Sequence, residues 1–317
     1  MAVQVVRFEY QNTVQWGRIH NQRITPVSGQ YATTGEFIRQ VSIEQLRDLK
    51  SPTLDLNQVR LLSPVTRNQQ FVCQGANYRQ HMIESGMDPD AKSYNMMFTK
   101  AASCICPADS DLIKPRHVRF LDYEIELGLV MRSDINGPVQ IDDSNLHQFV
   151  AGLVIVNDYS ARDIQIPQMQ FYKGKSFRTF GPVGPYLCLL EANQMHYLKA
   201  LQLRLTVNDQ LRQDDNTANM VYPPAQTLTE LSAVQDLAAG DLIATGTPAG
   251  CALAIPSPAT QRIAALLPEA LKWKLFLKAQ ARRERYLKPG DRVEARIRSA
   301  DGIVDLGVQR NLVVEQD

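Results

Sequence analysis

Asp122-Tyr-Glu-Ile-Glu-Leu-Gly-Leu-Val-Met131 decides how the rest of the chain is read. It alternates at first and then turns apolar, the pattern of a strand that becomes buried. Side chains in a strand alternate faces, so Glu124 and Glu126 share one face and Ile125, Leu127 and Leu129 take the other. Two carboxylates on one face repel unless water or a cation lies between them. An isolated Glu-x-Glu is usually a solvent-facing strand. A second stretch alters that reading: Val150 to Val156 is a continuous apolar run ending in Asn157-Asp158-Tyr159-Ser160. A carboxylate that ends a buried strand is poorly hydrated and needs a partner. Glu124, Glu126 and Asp158 together would form an all-oxygen site of the kind hard cations such as Mg2+, Mn2+ or Ca2+ prefer, with positions left open for water and substrate.

Outward from these strands the body, residues 63 to 317, reads as mainly β. Short strands are cut by Gly, Pro, Asn and Asp, which predicts an α+β, mainly β fold of roll or sandwich type. Ala200 to Gln213 reads as a hairpin turning at Asn208-Asp209. Gly240 to Gly250 reads as a strand entering a glycine-rich loop. Residues 1 to 62 read as a small N-terminal domain, with a hairpin turning at Gln11-Asn12 and a short helix opened by a Ser42-to-Gln45 capping box. Residues 253 to 286 read as a helical insertion of two helices, the second with Pro268 in its first turn. Its basic side chains, Lys272, Lys274, Lys278, Arg282, Arg283 and Arg285, predict a solvated face, with a cap over substrate or subunit as the alternative.

A hydrophobic share of 44%, a charged share of 21% and a net charge of +1 give no global field for nucleic acid or membrane. The expected setting is cytoplasmic, since the first residues lack the basic start and apolar run of a signal peptide. Five scattered cysteines fit a reducing compartment, and the Cys104-x-Cys106 pair has no second pair at finger spacing. Gly174-Lys175-Ser176 is not a phosphate loop, because the first glycine of that motif would fall on Met169.

Asn77 to Glu84 has helical character, which makes His81 and Glu84 neighbours on one face. A carboxylate beside imidazole suits a proton acceptor for water. Gly86 and Asp88-Pro89-Asp90 follow, so residues 78 to 92 are a candidate lid.

Taken in order, Asn77-Tyr78-x-x-His81-x-x-Glu84, Phe98-Thr-Lys100, Asp122 to Gly128, Asn157 to Gln165, Gly174 to Phe177, Gly184-Pro185, Val207-Asn208, Arg212-Gln213 and Gly240 to Gly250 resemble the fumarylacetoacetate hydrolase family. The resemblance spans roughly residues 60 to 252 and 286 to 315. It implies a mixed β-roll catalytic domain, a homodimer, and a Mg2+ or Mn2+ site on Glu124, Glu126 and Asp158. It also implies His81 and Glu84 as a water-activating dyad, Lys175 as oxyanion support, and Tyr78, Gln165, Thr247 and Arg162 around the substrate, with Arg162 bracing the metal loop. The implied reaction is hydrolysis of a carbon–carbon bond in a 2,4-dioxo acid. Decarboxylation of oxaloacetate, hydration of 2-oxo-alkenoates and keto–enol isomerisation use the same chemistry. A non-catalytic metal- or ligand-binding protein is the alternative of another class. Two features depart from the family pattern: Ala76 stands where acylpyruvate hydrolases carry an arginine for substrate carboxylate, and the insertion is longer than usual.

Overall fold

The computed structural model describes residues 2–50, 52–91, 94–256 and 258–316. Two sheets pack face to face. The larger has thirteen strands, and its centre is the strand Ile125–Met131, paired antiparallel with Val150–Asn157 on one side and Leu242–Ala244 on the other. Phe71–Gly75 continues the sheet in parallel beside Leu242–Ala244, and Met96–Thr99 follows it at the edge. The second sheet has five strands in the order Gln210–Asn216, Leu201–Val207, Arg292–Ser299, Asp305–Glu315 and Leu112–Lys114.

Alternation explains how the sheets meet. Leu201, Leu203, Leu205 and Val207 are buried on one face, while the residues between them are exposed or half-buried. They pack with Leu127, Leu129, Leu153 and Ile155 of the large sheet in one hydrophobic core. Ile125–Met131 and Val150–Asn157 are buried along their whole length, so the solvent-facing reading of Glu124-x-Glu126 does not hold.

The N-terminal hairpin Val3–Tyr10 and Thr13–His20 turns at Gln11 and Asn12, both with positive φ. Val3–Tyr10 also pairs with Leu187–Leu189, so the first segment extends the large sheet. The capping box of the helix Ile43–Asp48 is formed by Ser42 and Gln45 as expected. The hairpin turn at Asn208-Asp209 also forms, with both residues at positive φ.

The insertion carries the helices Pro258–Ala264 and Glu269–Gln280. The second ends earlier than the sequence suggests, and Pro268 caps it rather than opening its first turn. In that helix only Gln280 is fully buried. The neck is clamped: Gln280 Nε2 donates to Ala254 O (2.8 Å), Arg283 Nε to Ala252 O (2.7 Å) and an Arg285 guanidinium N–H to Gly250 O (2.8 Å). Ser257 in this insertion and Lys92, at the end of the candidate lid, lie outside the described residues. Among the described residues no helix is long and apolar enough to cross a membrane.

Candidate metal centre and its cavity

Strand register brings the carboxylates together. Ile125 pairs with Asn157 and Glu126 with Val156, so Glu124 falls opposite Asp158, whose N–H donates to Glu124 O at 2.8 Å. Glu126 lies two residues along the same face. One ligand oxygen from each of Glu124, Glu126 and Asp158 lies within 4.8 Å of the others. All three are buried, with Glu126 at 1% exposure and Asp158 at 0%.

Three buried cations answer these charges. Lys175 Nζ donates to Glu124 (2.6 Å), Asp158 (2.5 Å) and Ser160 Oγ (2.8 Å). Lys100 Nζ donates to the other Asp158 oxygen (2.5 Å) and to Phe180 O (2.8 Å). Arg162 bonds Asp122 (2.8 Å), Gln165 Oε1 (2.7 Å) and Glu124. Asp122 in turn accepts the N–H groups of Ala252 (2.7 Å) and Leu253 (3.0 Å), which ties the insertion's neck to the centre. Close backbone approach makes this possible. A Cβ on Gly174 would stand 2.8 Å from Gln165 N, so glycine lets the short helix Phe171–Lys175 press against Arg162–Gln165. Gly246, at φ +86°, turns its N–H onto Glu126 at 2.9 Å.

The charges are unequally balanced. Burial raises the proton affinity of Glu124, but Arg162 and Lys175 outweigh it and hold this carboxyl down at about 2. Burial pushes Glu126 well up, and the neighbouring Asp158 and Glu124 push it further. Burial lowers Lys175, yet Asp158 and Glu124 raise it more, so it stays charged. Four carboxylates, counting Asp122, face three cations. A hard divalent cation fits this donor set: three buried carboxylates converge, and Glu126 meets the N–H of Gly246 but, among the described residues, no paired cation.

Glu124, Glu126, Arg162, Lys175, Gln165, Thr247 and His81 line one cavity of about 170 Å3. The candidate residues therefore divide. Thr247 is on the wall, but its hydroxyl already donates to Ile125 O (2.9 Å) and accepts from Gln213 (2.8 Å). Tyr78 is fully buried and does not line the cavity, and its hydroxyl has no hydrogen-bond partner among the described residues. His81 and Glu84 both belong to the helix Arg79–Glu84. His81 is half-buried at the cavity, whereas Glu84 is exposed, and no hydrogen bond or ion pair joins them among the described residues. Burial pushes the His81 ring down, against a smaller upward pull from Glu124. The sequence reading assigned no role to Lys100 or Asp122. Lys100 stands in the Phe98-Thr-Lys100 motif, and Asp122 opens the Glu-x-Glu strand, which is the signal available for each.

Residues 70–314 match the model of the fumarylacetoacetate (FAA) hydrolase C-terminal family, and residues 4–64 match an Rv2993c-like N-terminal model. A putative hydrolase of Burkholderia multivorans is 35% identical over 229 residues, 71% of this chain and 78% of that protein. The oxaloacetate tautomerase YisK of Bacillus subtilis is 34% identical over 206 residues, 64% of this chain and 66% of its own. Two solved structures are similar over nearly the whole chain. The fumarylacetoacetate hydrolase of psychrophilic Exiguobacterium antarcticum has a TM-score of 0.75 at 29% identity, covering 99% of this chain and 100% of its own. A probable 2-hydroxyhepta-2,4-diene-1,7-dioate isomerase from Mycobacterium abscessus has 0.74 at 27%, covering 100% of both. The mainly β fold, the ordered motifs and the buried acidic triad thus agree with the match over residues 70–314, and the chain belongs to the fumarylacetoacetate hydrolase family.

Proposed function

We propose that this enzyme uses Mg2+ or Mn2+ to move a proton between the keto and enol forms of a small 2-oxo acid. One observation carries the reading: His81 shares one cavity with Glu124 and Glu126, and among the described residues no carboxylate bonds its ring to orient it. Proton transfer beside a carbonyl needs a cation and one base. Hydrolysis additionally needs a base aimed at water, and Glu84 does not hold His81 for that task. The cavity's 170 Å3 is below the roughly 300–1,000 Å3 of sites for drug-sized ligands, which supports a small substrate. The names of the Bacillus tautomerase and the Mycobacterium isomerase support the reaction class.

Glu124, Glu126 and Asp158 would hold a divalent cation, which would supply Lewis acidity to a bound 2-oxo acid. The residues do the remainder. Arg162 and Lys175 keep Glu124 ionised. Lys100 fixes Asp158 from behind. His81, neutral because burial disfavours its charged form, takes the proton from the carbon beside the keto group and returns it to the enolate oxygen, so that the enol forms and the ring is neutral again. Lys175, whose three ammonium hydrogens go to Glu124, Asp158 and Ser160, holds those two ligand carboxylates in place.

Hydrolysis of a 2,4-dioxo acid is the second reading. Its support is the fumarylacetoacetate hydrolase similarity at 29% identity and the short helix of His81, whose end at Gly86 has positive φ. The test uses Mn2+-loaded protein with oxaloacetate and with acetylpyruvate. Keto–enol proton transfer predicts faster decay of enol absorbance with no change in carbon skeleton. Stoichiometric pyruvate and acetate from acetylpyruvate would establish hydrolysis instead. Metal binding with neither reaction would overturn both readings.

A further inference from the structure

The charged end of the cavity is fully assigned, and the rest of its wall has a different chemistry. Met87, Met96, Phe98, Phe171, Leu253 and Ile255 supply most of that remainder. Phe98 and Phe171 contact each other with ring centroids 5.3 Å apart, and the Lys175 ammonium lies 5.2 Å from the Phe98 ring. Met96 packs onto Gly75, where a Cβ would stand 2.5 Å from the Met96 sulfur. Leu253 and Ile255 come from the neck of the insertion, held in place through Asp122 and Gln280. Ala76, also on the wall, adds a methyl group.

Among the described residues only two cations line this cavity, Arg162 and Lys175. Both are spoken for by carboxylates: Arg162 by Asp122 and Glu124, Lys175 by Glu124 and Asp158. Arg79, on the same short helix as His81, is exposed and paired with Asp90. A second substrate carboxylate would therefore enter a wall made mostly of thioether, phenyl and alkyl groups, with Gln74 and Ser85 as uncharged polar members and no counter-charge among the described residues, and an unpaired buried charge is strongly disfavoured.

We infer that the substrate's far end is uncharged and apolar, so that this enzyme selects monocarboxylic 2-oxo or 2,4-dioxo acids with a short alkyl tail over dicarboxylic ones. The inference rests on the 2-oxo-acid reading above and narrows it. It also separates this chain from its Bacillus relative, named for the dicarboxylate oxaloacetate. Methionine suits such a wall, because its flexible thioether adapts to tails of different shape.

The test compares butyrylpyruvate with succinylpyruvate, which share the acyl chain length but end in methyl and carboxylate. Binding is measured by calorimetry with Mn2+ present, and turnover by enol absorbance and product analysis. Butyrylpyruvate should be favoured at least about tenfold in both affinity and kcat/KM, the scale of discrimination by an apolar pocket. Ala76→Arg should narrow or reverse that ratio, whereas Ala76→Leu, which adds bulk without charge, should not restore succinylpyruvate. Mn2+ affinity, read separately, certifies that each variant keeps its centre. Equal or better handling of succinylpyruvate by the wild type overturns the inference and leaves the oxo-acid reading standing. Failure of both compounds to bind the Mn2+-loaded protein removes that reading and the inference with it.

Discussion

The buried centre and the helical insertion both carry dense charge, and they use it in opposite ways. In the insertion, Lys272, Lys274 and Lys278 lie on a helix whose only fully buried residue is Gln280. Water solvates Lys274 and Lys278, Lys272 is half-buried with its ammonium over the Trp273 ring, and loss of the two exposed charges changes little. In the centre, Lys100, Lys175 and Arg162 are each at or below 3% exposure and bond directly to Asp122, Glu124 or Asp158. Every one of those charges depends on its partner, since a buried ion without one is destabilising. The candidate centre lies where charge is costly to hold, and a basic run of sequence is a poor guide to it. The insertion's contribution to the site is its neck, through Leu253 and Ile255, rather than its charges.

The largest effect that would break this contrast concerns Lys100. Its ammonium is fully enclosed and meets Asp158 and Phe180 O. Lys100→Met strands one face of Asp158 and should lower unfolding free energy by about 3–5 kcal/mol, read from urea midpoints. Arg79→Met removes an equally well-formed pair, Arg79–Asp90, but at an exposed site. It should leave the midpoint unchanged. Similar losses from both variants would show that burial does not set the value of these pairs.

A second, somewhat smaller effect sharpens the comparison through metal. A cation that binds only the folded centre stabilises it by about 2.7 kcal/mol at a hundred times Kd. Mn2+ should therefore raise the melting temperature of the wild type, and a chelator should reverse the rise. Glu126→Gln removes one of the three ligand carboxylates and should abolish the shift. Lys274→Gln in the insertion should retain it in full. A Mn2+ shift that survives in Glu126→Gln would place the ion elsewhere.

Much of the centre was legible because strand geometry is local. Glu-x-Glu fixes a shared face, and an apolar run ending in Asn157-Asp158 fixes a buried strand end. Their convergence came from antiparallel register, Ile125 opposite Asn157, which no single segment encodes. Lys100 and Asp122 escaped assignment for the same reason. Lys100 reaches Asp158 across 58 residues of chain, and Asp122 accepts from Ala252 across 130. The i,i+3 argument for His81 and Glu84 placed both on one short helix but could not say which way that helix faces. The structure turns His81 to the cavity and leaves Glu84 exposed. The basic helix suggested a cap by charge alone, while the apolar neck residues carried no signal beyond their hydrophobicity.

The smallest effect, and the one that discriminates most finely, is the pH dependence of His81. Burial favours its neutral form, so its folded pKa lies below the unfolded value of about 6.5. The sign follows directly. Above about 6.5 the ring is neutral in both states; as pH falls below that value the unfolded chain takes up the proton first, and folding loses stability. For a base, activity declines only when pH falls through the depressed folded value. The acid limb of kcat/KM should thus lie below about 6.5 and vanish in His81→Gln. Glu84, exposed and unbonded to the ring, gives a matched control on the same helix. Glu84→Gln should leave the limb within a few tenths of a pH unit of its wild-type position. A large displacement by Glu84→Gln would mean that the carboxylate engages His81 during turnover, which is the geometry hydrolysis requires. The two residues of one six-residue helix therefore decide between the two chemistries that the buried centre alone supports equally.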